Sequence, residues 1–261
     1  YVYSAFSWET LSPGFEYGRY FPPNSDGAQL LVTRIDPTLF NIEAHYHPGD
    51  PHYRVEWAKE LTCARLFVNA NFYDQSNQIV GLLVQNGEHF GTSFDRFGGQ
   101  LEVDFNGVTR VRSLTAQPDT EHDLIWQAVQ GFPMLIHSGA PVINQADNDE
   151  QARRTAAALD QSGNILLIIS PGLGIRLTAL IDTLMRTDLE IVEAVNLDGG
   201  TSTLMQIADI PAFTVDSVFP VSAVLTVSPR VEVQVCTIKG LPCGCRTPIG
   251  SPNLIRVPSN P

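Results

Sequence analysis

The chain has 261 residues, 28 of them acidic and 16 basic, for a formal net charge of -12, with 43% hydrophobic against 17% charged side chains. That composition supplies a sizeable core and excludes wholesale disorder. An acidic chain with no Lys/Arg stripe excludes duplex nucleic acid as a partner, and its longest apolar runs, 165–170 and 221–227, fall far short of the ~20 residues of a membrane-spanning helix.

Residues 1–28 are rich in Pro, Gly, Ser and aromatics and read as largely irregular. Strands are predicted at 29–35 and 40–46, around the Asp36-Pro37 turn, and a short helix at 55–61, with Val55, Ala58 and Leu61 on one buried face. Further strands follow at 64–69, 79–85, 100–105, 108–113, 124–130, 154–159 and 165–170. Asn106-Gly107 and Ser162-Gly163-Asn164 supply hairpin chemistry between them. One helix is expected at 177–186, where Leu177, Leu180, Ile181, Leu184 and Met185 repeat on a single stripe. Strands at 192–197 and 221–227 complete the pattern. Many strands and few helices, in no regular βαβ order, predict an α+β domain with a large mixed or antiparallel sheet system. The domain spans residues 1–229, and residues 230–261 form a Cys/Pro-rich tail.

Three of the four cysteines, Cys236, Cys243 and Cys245, crowd that tail, and the fourth is Cys63. Such a cluster is either a disulfide knot in an exported protein or a thiolate metal site. The lack of paired Cys-x2-Cys units and of adjacent histidines favours disulfides. The opening at Tyr1 without an apolar leader fits an exported chain whose leader has been cleaved, and equally a shortened one. A secreted or otherwise extracytoplasmic location is the expectation.

Four segments carry candidate chemistry. In Asn196-Leu197-Asp198-Gly199-Gly200-Thr201-Ser202-Thr203, two glycines at a strand end let backbone amides approach a ligand, and the adjacent hydroxyls offer donors to anionic oxygens. Its plain alternative is a polar turn with an Asx bond from Asp198. Asn69-Ala70-Asn71-Phe72-Tyr73-Asp74 places amides directly after a buried strand. Gln130-Gly131-Phe132-Pro133-Met134-Leu135-Ile136 is the third. The fourth, Arg153-Arg154-Thr155-Ala156, fixes a guanidinium at the head of an apolar strand, suited either to bidentate phosphate contact or to a salt bridge.

Together and in this order the four segments resemble the phosphodiester glycosidase family. That family runs from an Asn-Gly-Gly-Phe-Phe-like strand end through Gly-Pro-x-Leu-like and Arg-Thr-Ala-x-Gly-like segments to an Asn-Leu-Asp-Gly-Gly-Gly-Ser-like turn. Leu11-Ser12-Pro13-Gly14 and Arg34-Ile35-Asp36-Pro37 extend the likeness to about residues 8–228. The departures are Asn71, the inserted Phe132, Ala158 and Thr201. The resemblance implies a hydrolase that cleaves a sugar-1-phosphodiester, with an N-acetylglucosamine-type sugar, in an extracytoplasmic glycan. It implies Asp198, Arg154 and Asn71 as catalytic residues, and Asn69, Gln130, Gly131, Thr155, Asn196, Gly199, Gly200, Thr201 and Ser202 around the substrate phosphate. Asp74 and Glu56 are further candidate carboxylates. The alternatives are a glycan or sugar-phosphate binding protein on the same scaffold, or a phosphodiesterase cutting P–O.

No cofactor is expected. The acidic loop Asp147-Asn148-Asp149-Glu150 offers oxygen ligands for a divalent cation such as calcium, but lacks EF-hand spacing and reads as a solvated loop. His45, His47 and His52, around a Pro-Gly-Asp-Pro turn, read as exposed or core-edge histidines, because a transition-metal site needs three or four convergent ligands.

Overall fold

Three antiparallel sheets surround one shared core in the computed structural model, which describes residues 5–23, 27–120, 123–142 and 149–230. The largest sheet has eight strands, in the order Trp8–Ser12, Phe15–Tyr20, Leu30–Ile35, Ile165–Ile175, Ala152–Asp160, Ile191–Asn196, Met134–His137 and Ala140–Pro141. Its central strands are covered on both faces, which explains their unbroken apolar runs. Ile165, Leu167, Ile169 and Ala157 point into the core between the sheets. Leu166, Ile168, Ala156 and Ala158 point the other way, onto helix α2 (Leu177–Arg186). That helix buries Leu177, Leu180, Ile181 and Leu184, each contributing about 1.5–3 kcal/mol.

Two five-stranded sheets close the inner face. One runs Thr109–Ser113, Gly99–Asp104, Ile125–Gly131, Leu82–Gln85, Glu88–Gly91, and the other Thr214–Val215, Met205–Ile207, Leu66–Asn69, Ala223–Pro229, Phe40–Tyr46. Leu83, Leu101 and Val129 from the first meet Ile42, Val68 and Leu225 from the second in the shared core. Helix α1 (Arg54–Glu60) lies on the outer face of the second sheet, with Trp57 against Phe67, Leu204, Val221 and Val224. A two-stranded ribbon, Phe72–Tyr73 with Ile79–Val80, stands at the exit of Leu66–Asn69.

The predicted strands are present, with ends moved by a few residues, and α2 has the predicted bounds. Among the described residues every strand pair is antiparallel, the second of the two sheet types expected. Three local expectations are corrected. The irregular reading of 1–28 missed a hairpin, Trp8–Ser12 with Phe15–Tyr20, turned at Gly14 with φ +73°. The strand at 79–85 is split at Gly81, whose φ of +89° leaves the extended region. In α1 the buried anchor is Trp57 and Val55 is exposed, because a helix of two turns leaves the phase of its apolar stripe open. Cys236, Cys243, Cys245, Asp147 and Asn148 lie outside the described residues, as does the tail beyond 230. Among the described residues no helix is long and apolar enough to cross a membrane.

Candidate active site

The four motif segments converge although they are far apart in sequence. Asn69 is the clamp: it donates from Nδ2 to the Asp198 carbonyl at 2.6 Å, while its Oδ1 accepts from the Thr155 hydroxyl at 2.7 Å and from the Leu204 amide at 3.1 Å. The Leu197 amide donates to the Thr155 carbonyl and the Asp198 amide to the Ala70 carbonyl. Gly131 packs so closely under Asn196 that a Cβ there would collide with its carbonyl oxygen. Asn71 donates from Nδ2 to the carbonyls of Leu82 and Gln130, and Asn196 donates to that of Phe132. The side-chain oxygens of Asn71 and Asn196 are buried without a partner.

These contacts hold the Asp198 turn at the floor of a cleft of about 450 Å³ lined by Tyr73, Asp74, Asn77, Asp198, Gly199, Thr201 and Ser202 and rimmed by Pro51, Phe219 and Pro220. The Thr201 carbonyl accepts the Val218 amide at 2.7 Å, which ties the rim loop to the turn. Gly199 has no room for a side chain, since a Cβ would lie 2.8 Å from the Arg153 carbonyl oxygen. Gly200 sits at φ +60°, a region side chains other than Asn and Asp rarely adopt.

Asp198 is partly buried, and burial pushes its carboxyl up to about 6, opposed by hydrogen bonds from Ser202 and from the Gly199 amide, the latter at 2.8 Å. The Ser202 hydroxyl also bonds the Tyr73 phenol at 2.9 Å, and burial raises the Tyr73 pKa. Tyr73, Ser202 and Asp198 thus form a chain of exchangeable protons ending on a carboxylate with a raised pKa, an arrangement suited to general acid–base or nucleophilic work near neutrality.

Most of the expected residues fall into two groups. Asp198, Gly199, Thr201 and Ser202 line the cleft. Asn69, Gln130, Gly131, Thr155 and Asn196 lie behind it as its frame: Gln130 accepts the Leu82 and Phe94 amides and donates to the Phe94 and Phe97 carbonyls. Arg154 packs its Cα 3.5 Å from where a Gly199 Cβ would stand, yet its guanidinium donates to the carbonyls of Ile175 at 3.1 Å and Glu150 at 2.6 Å. Asp74 lines the cleft and caps its own turn, accepting the Ser76 and Gln78 amides. Glu56 is exposed on α1 and accepts the Tyr53 amide as a helix cap. Tyr73 was quoted in the motif and given no role by the sequence; its phenol reaches Ser202 from 129 residues away. A second cleft of about 510 Å³, lined by Val80, Phe94, Phe97 and Phe132, sits on the other side of the ribbon, where the Phe72 ring stacks on Phe132 at 4.2 Å.

The family model described as phosphodiester glycosidase matches residues 62–227. The chain belongs to the phosphodiester glycosidase family. Its fold is shared with three solved structures. The catalytic domain of zebrafish N-acetylglucosamine-1-phosphodiester alpha-N-acetylglucosaminidase, auto-inhibited by pro-peptide, is 20% identical with a TM-score of 0.66, over 87% of each chain. A hypothetical protein from Synechocystis is 17% identical with a TM-score of 0.60, over 86% of this chain and 64% of the other. A putative exported protein from Burkholderia pseudomallei is 14% identical with a TM-score of 0.56, over 77% and 74%. No curated protein sequence matches the chain. Within this member of the phosphodiester glycosidase family, the matched region runs from Thr62, before the Asn69 strand, to Val227, and so includes all four motif segments.

Proposed function

We propose that the protein hydrolyses a sugar-1-phosphodiester, taking an N-acetylglucosamine-type sugar on an extracytoplasmic glycan, with Asp198 as its central carboxylate. The observation that carries this reading is the placement of Asp198, with its raised pKa and its link through Ser202 to Tyr73, in a cleft that Gly199, Thr201 and Ser202 also line. The leaving group of such a substrate departs as a phosphate monoester anion, so the bond breaks with little need of protonation and with positive charge growing at the anomeric carbon. Asp198 stabilises or attacks that centre or activates water against it. The Gly200 amide and the Thr201 hydroxyl receive the phosphate, whose negative charge localises as the bond lengthens.

Arg154 supplies positive charge from behind the turn, and a direct phosphate contact requires its guanidinium to leave the Glu150 or Ile175 carbonyl. The frame made by Asn69, Asn71, Gln130, Thr155 and Asn196 fixes the turn, and so serves catalysis by holding donors where charge develops. The apolar cleft at Phe132 and Phe94 suits the aglycone or the apolar face of a sugar ring, since aromatic faces stack on such surfaces.

Turnover of a chromogenic sugar phosphodiester is the test, and absence of turnover with retained binding would replace the enzyme by a glycan-phosphate binder. In labelled water, oxygen-18 is expected in the sugar and not in the phosphate. Label in the phosphate would mean P–O cleavage.

A further inference from the structure

Outside the cleft, three side chains bring ligand atoms together on the outer face of the second five-stranded sheet. His47 follows the strand Phe40–Tyr46, His52 forms an isolated bridge with Val221, and Glu60 ends α1. Their ligating atoms all lie within 4.8 Å of one another. His47 Nε2 stands 3.0 and 2.9 Å from the two Glu60 carboxylate oxygens, and His52 Nδ1 stands 3.9 Å from Oε2 of the same carboxylate.

The environment fixes these rings. Trp57, fully buried and donating its indole N–H to the Val221 carbonyl at 3.2 Å, stacks under His47 with centroids 4.8 Å apart and touches His52 at 5.2 Å. The two imidazoles lie 4.8 Å apart, and both ends of the His52 backbone are bonded to Val221 at 2.9 Å.

A histidine–glutamate ion pair accounts for His47 and Glu60 and leaves His52 unexplained. Its Nε2 faces the Asp50 carboxylate at 3.2 Å, an acceptor, and in the neutral tautomer that donates there Nδ1 presents a lone pair. That Nδ1 is buried and has no hydrogen-bond partner. In that tautomer it cannot bond Glu60, because carboxylate oxygens are also acceptors, and at 3.9 Å the pair is beyond hydrogen-bond distance. A cation between the two removes the conflict. The pattern is also that of metal-binding histidines, which hand their second ring nitrogen to a carboxylate that orients the ring.

We infer that His47 Nε2, His52 Nδ1 and the Glu60 carboxylate form a binding site for a borderline transition-metal dication of the zinc class, with Asp50 as the orienting carboxylate and the open side completed by water. Ligands at 2.0–2.1 Å from a tetrahedral centre stand about 3.3 Å from one another, so the gaps seen here close with side-chain shifts of about 1 Å or less. Two imidazoles and one carboxylate suit zinc better than calcium, which takes six to eight oxygens. The site is separate from the Asp198 cleft and holds one wall of it in place, since Pro51 and Pro220, the neighbours of His52 and of its bridge partner Val221, both line the cleft. The inference does not depend on the glycosidase reading.

The test uses the full chain, stripped with chelator and with its accessible thiols alkylated so that cysteines cannot ligate. Zinc is titrated against a colorimetric chelator at pH 7.5. One equivalent is expected to bind with a Kd below about 10 μM, and zinc at 100-fold over Kd should raise Tm by about 5–11 °C. Glu60→Gln and His52→Gln should each weaken binding at least 100-fold, and Asp50→Asn by about 10-fold. Cobalt should give tetrahedral d–d absorption without a thiolate charge-transfer band. Glu60 is 43% exposed, so Glu60→Gln keeps the fold and circular dichroism will confirm it. Binding weaker than about 10 μM, or binding that all three variants leave unchanged, would overturn the site.

Discussion

Replacing Asp198 by Asn should make the protein more stable and less active, and the stability gain should depend on pH. The folded-state pKa of about 6 lies above the ordinary value of 3.8. The folded chain therefore holds this proton between about pH 4 and 6 where the unfolded chain has released it. The proton's contribution is fully present below the unfolded pKa and is lost as pH rises through the folded one. Two pK units correspond to about 3 kcal/mol, an upper bound because the side chain is partly solvated and Asn must still accept the Gly199 amide. If about half of that bound is realised, at 2–4 °C per kcal/mol for a chain of this size, Asp198→Asn should raise Tm by about 3–6 °C at pH 8 and by about 1–2 °C at pH 4.5, where roughly a third of the effect remains. Scanning calorimetry at the two pH values reads this directly. Turnover of a sugar phosphodiester should fall at least ~100-fold with little change in binding, and the wild-type rate should decline below about pH 6 as the carboxylate is protonated. Equal Tm shifts at both pH values would show that Asp198 carries no buried charge, and near-normal turnover would pass the catalytic role to another acid such as Asp74.

Arg154→Ala should weaken phosphate-bearing ligands about 10-fold more than the free sugar; calorimetric titration with both ligands would show an equal loss if the guanidinium only holds the Ile175 and Glu150 carbonyls. Leu180→Ala, at a fully buried position between α2 and the eight-stranded sheet, should cost about 2–5 kcal/mol in urea unfolding, and a cost below about 1 kcal/mol would remove α2 from the core. Mass spectrometry after alkylation without reductant should find fewer than four reactive thiols, as a tail pinned by a disulfide requires; four reactive thiols would exclude the bridge.

Much of the sheet system was legible because burial leaves a direct trace in sequence. The run at Ile165–Ile169 and the stripe Leu177, Leu180, Ile181, Leu184 can be read without knowing what they pack against. The N-terminal hairpin left no such trace: Trp8, Tyr17 and Tyr20 alternate with polar residues among glycines and prolines, a composition shared with loops. At the candidate site the glycines of the Asp198 turn were informative because few other residues fit their backbone. The amides Asn69 and Gln130 were also conspicuous as polar residues in apolar strands, but sequence could not tell a ligand contact from a frame. Their hydrogen bonds tie them to the backbone around the Asp198 turn and the Leu82 strand. Tyr73 and Glu60 gave no signal, since their partners are set by tertiary approach rather than by spacing.

The clamp at Asn69 also bears on when in folding the candidate site can form. Its side chain gathers groups 86, 129 and 135 residues downstream, so no contiguous fragment shorter than about half the chain contains the whole arrangement. Closing loops of that length must precede the contacts that reward it, which places the chain among slowly folding, non-local topologies. During synthesis the Asn69 strand emerges long before Thr155 and Asp198 exist to meet it. Ligand binding at the Asp198 cleft should consequently appear late in refolding, together with the last spectroscopic phase, and a partly folded chain should show none.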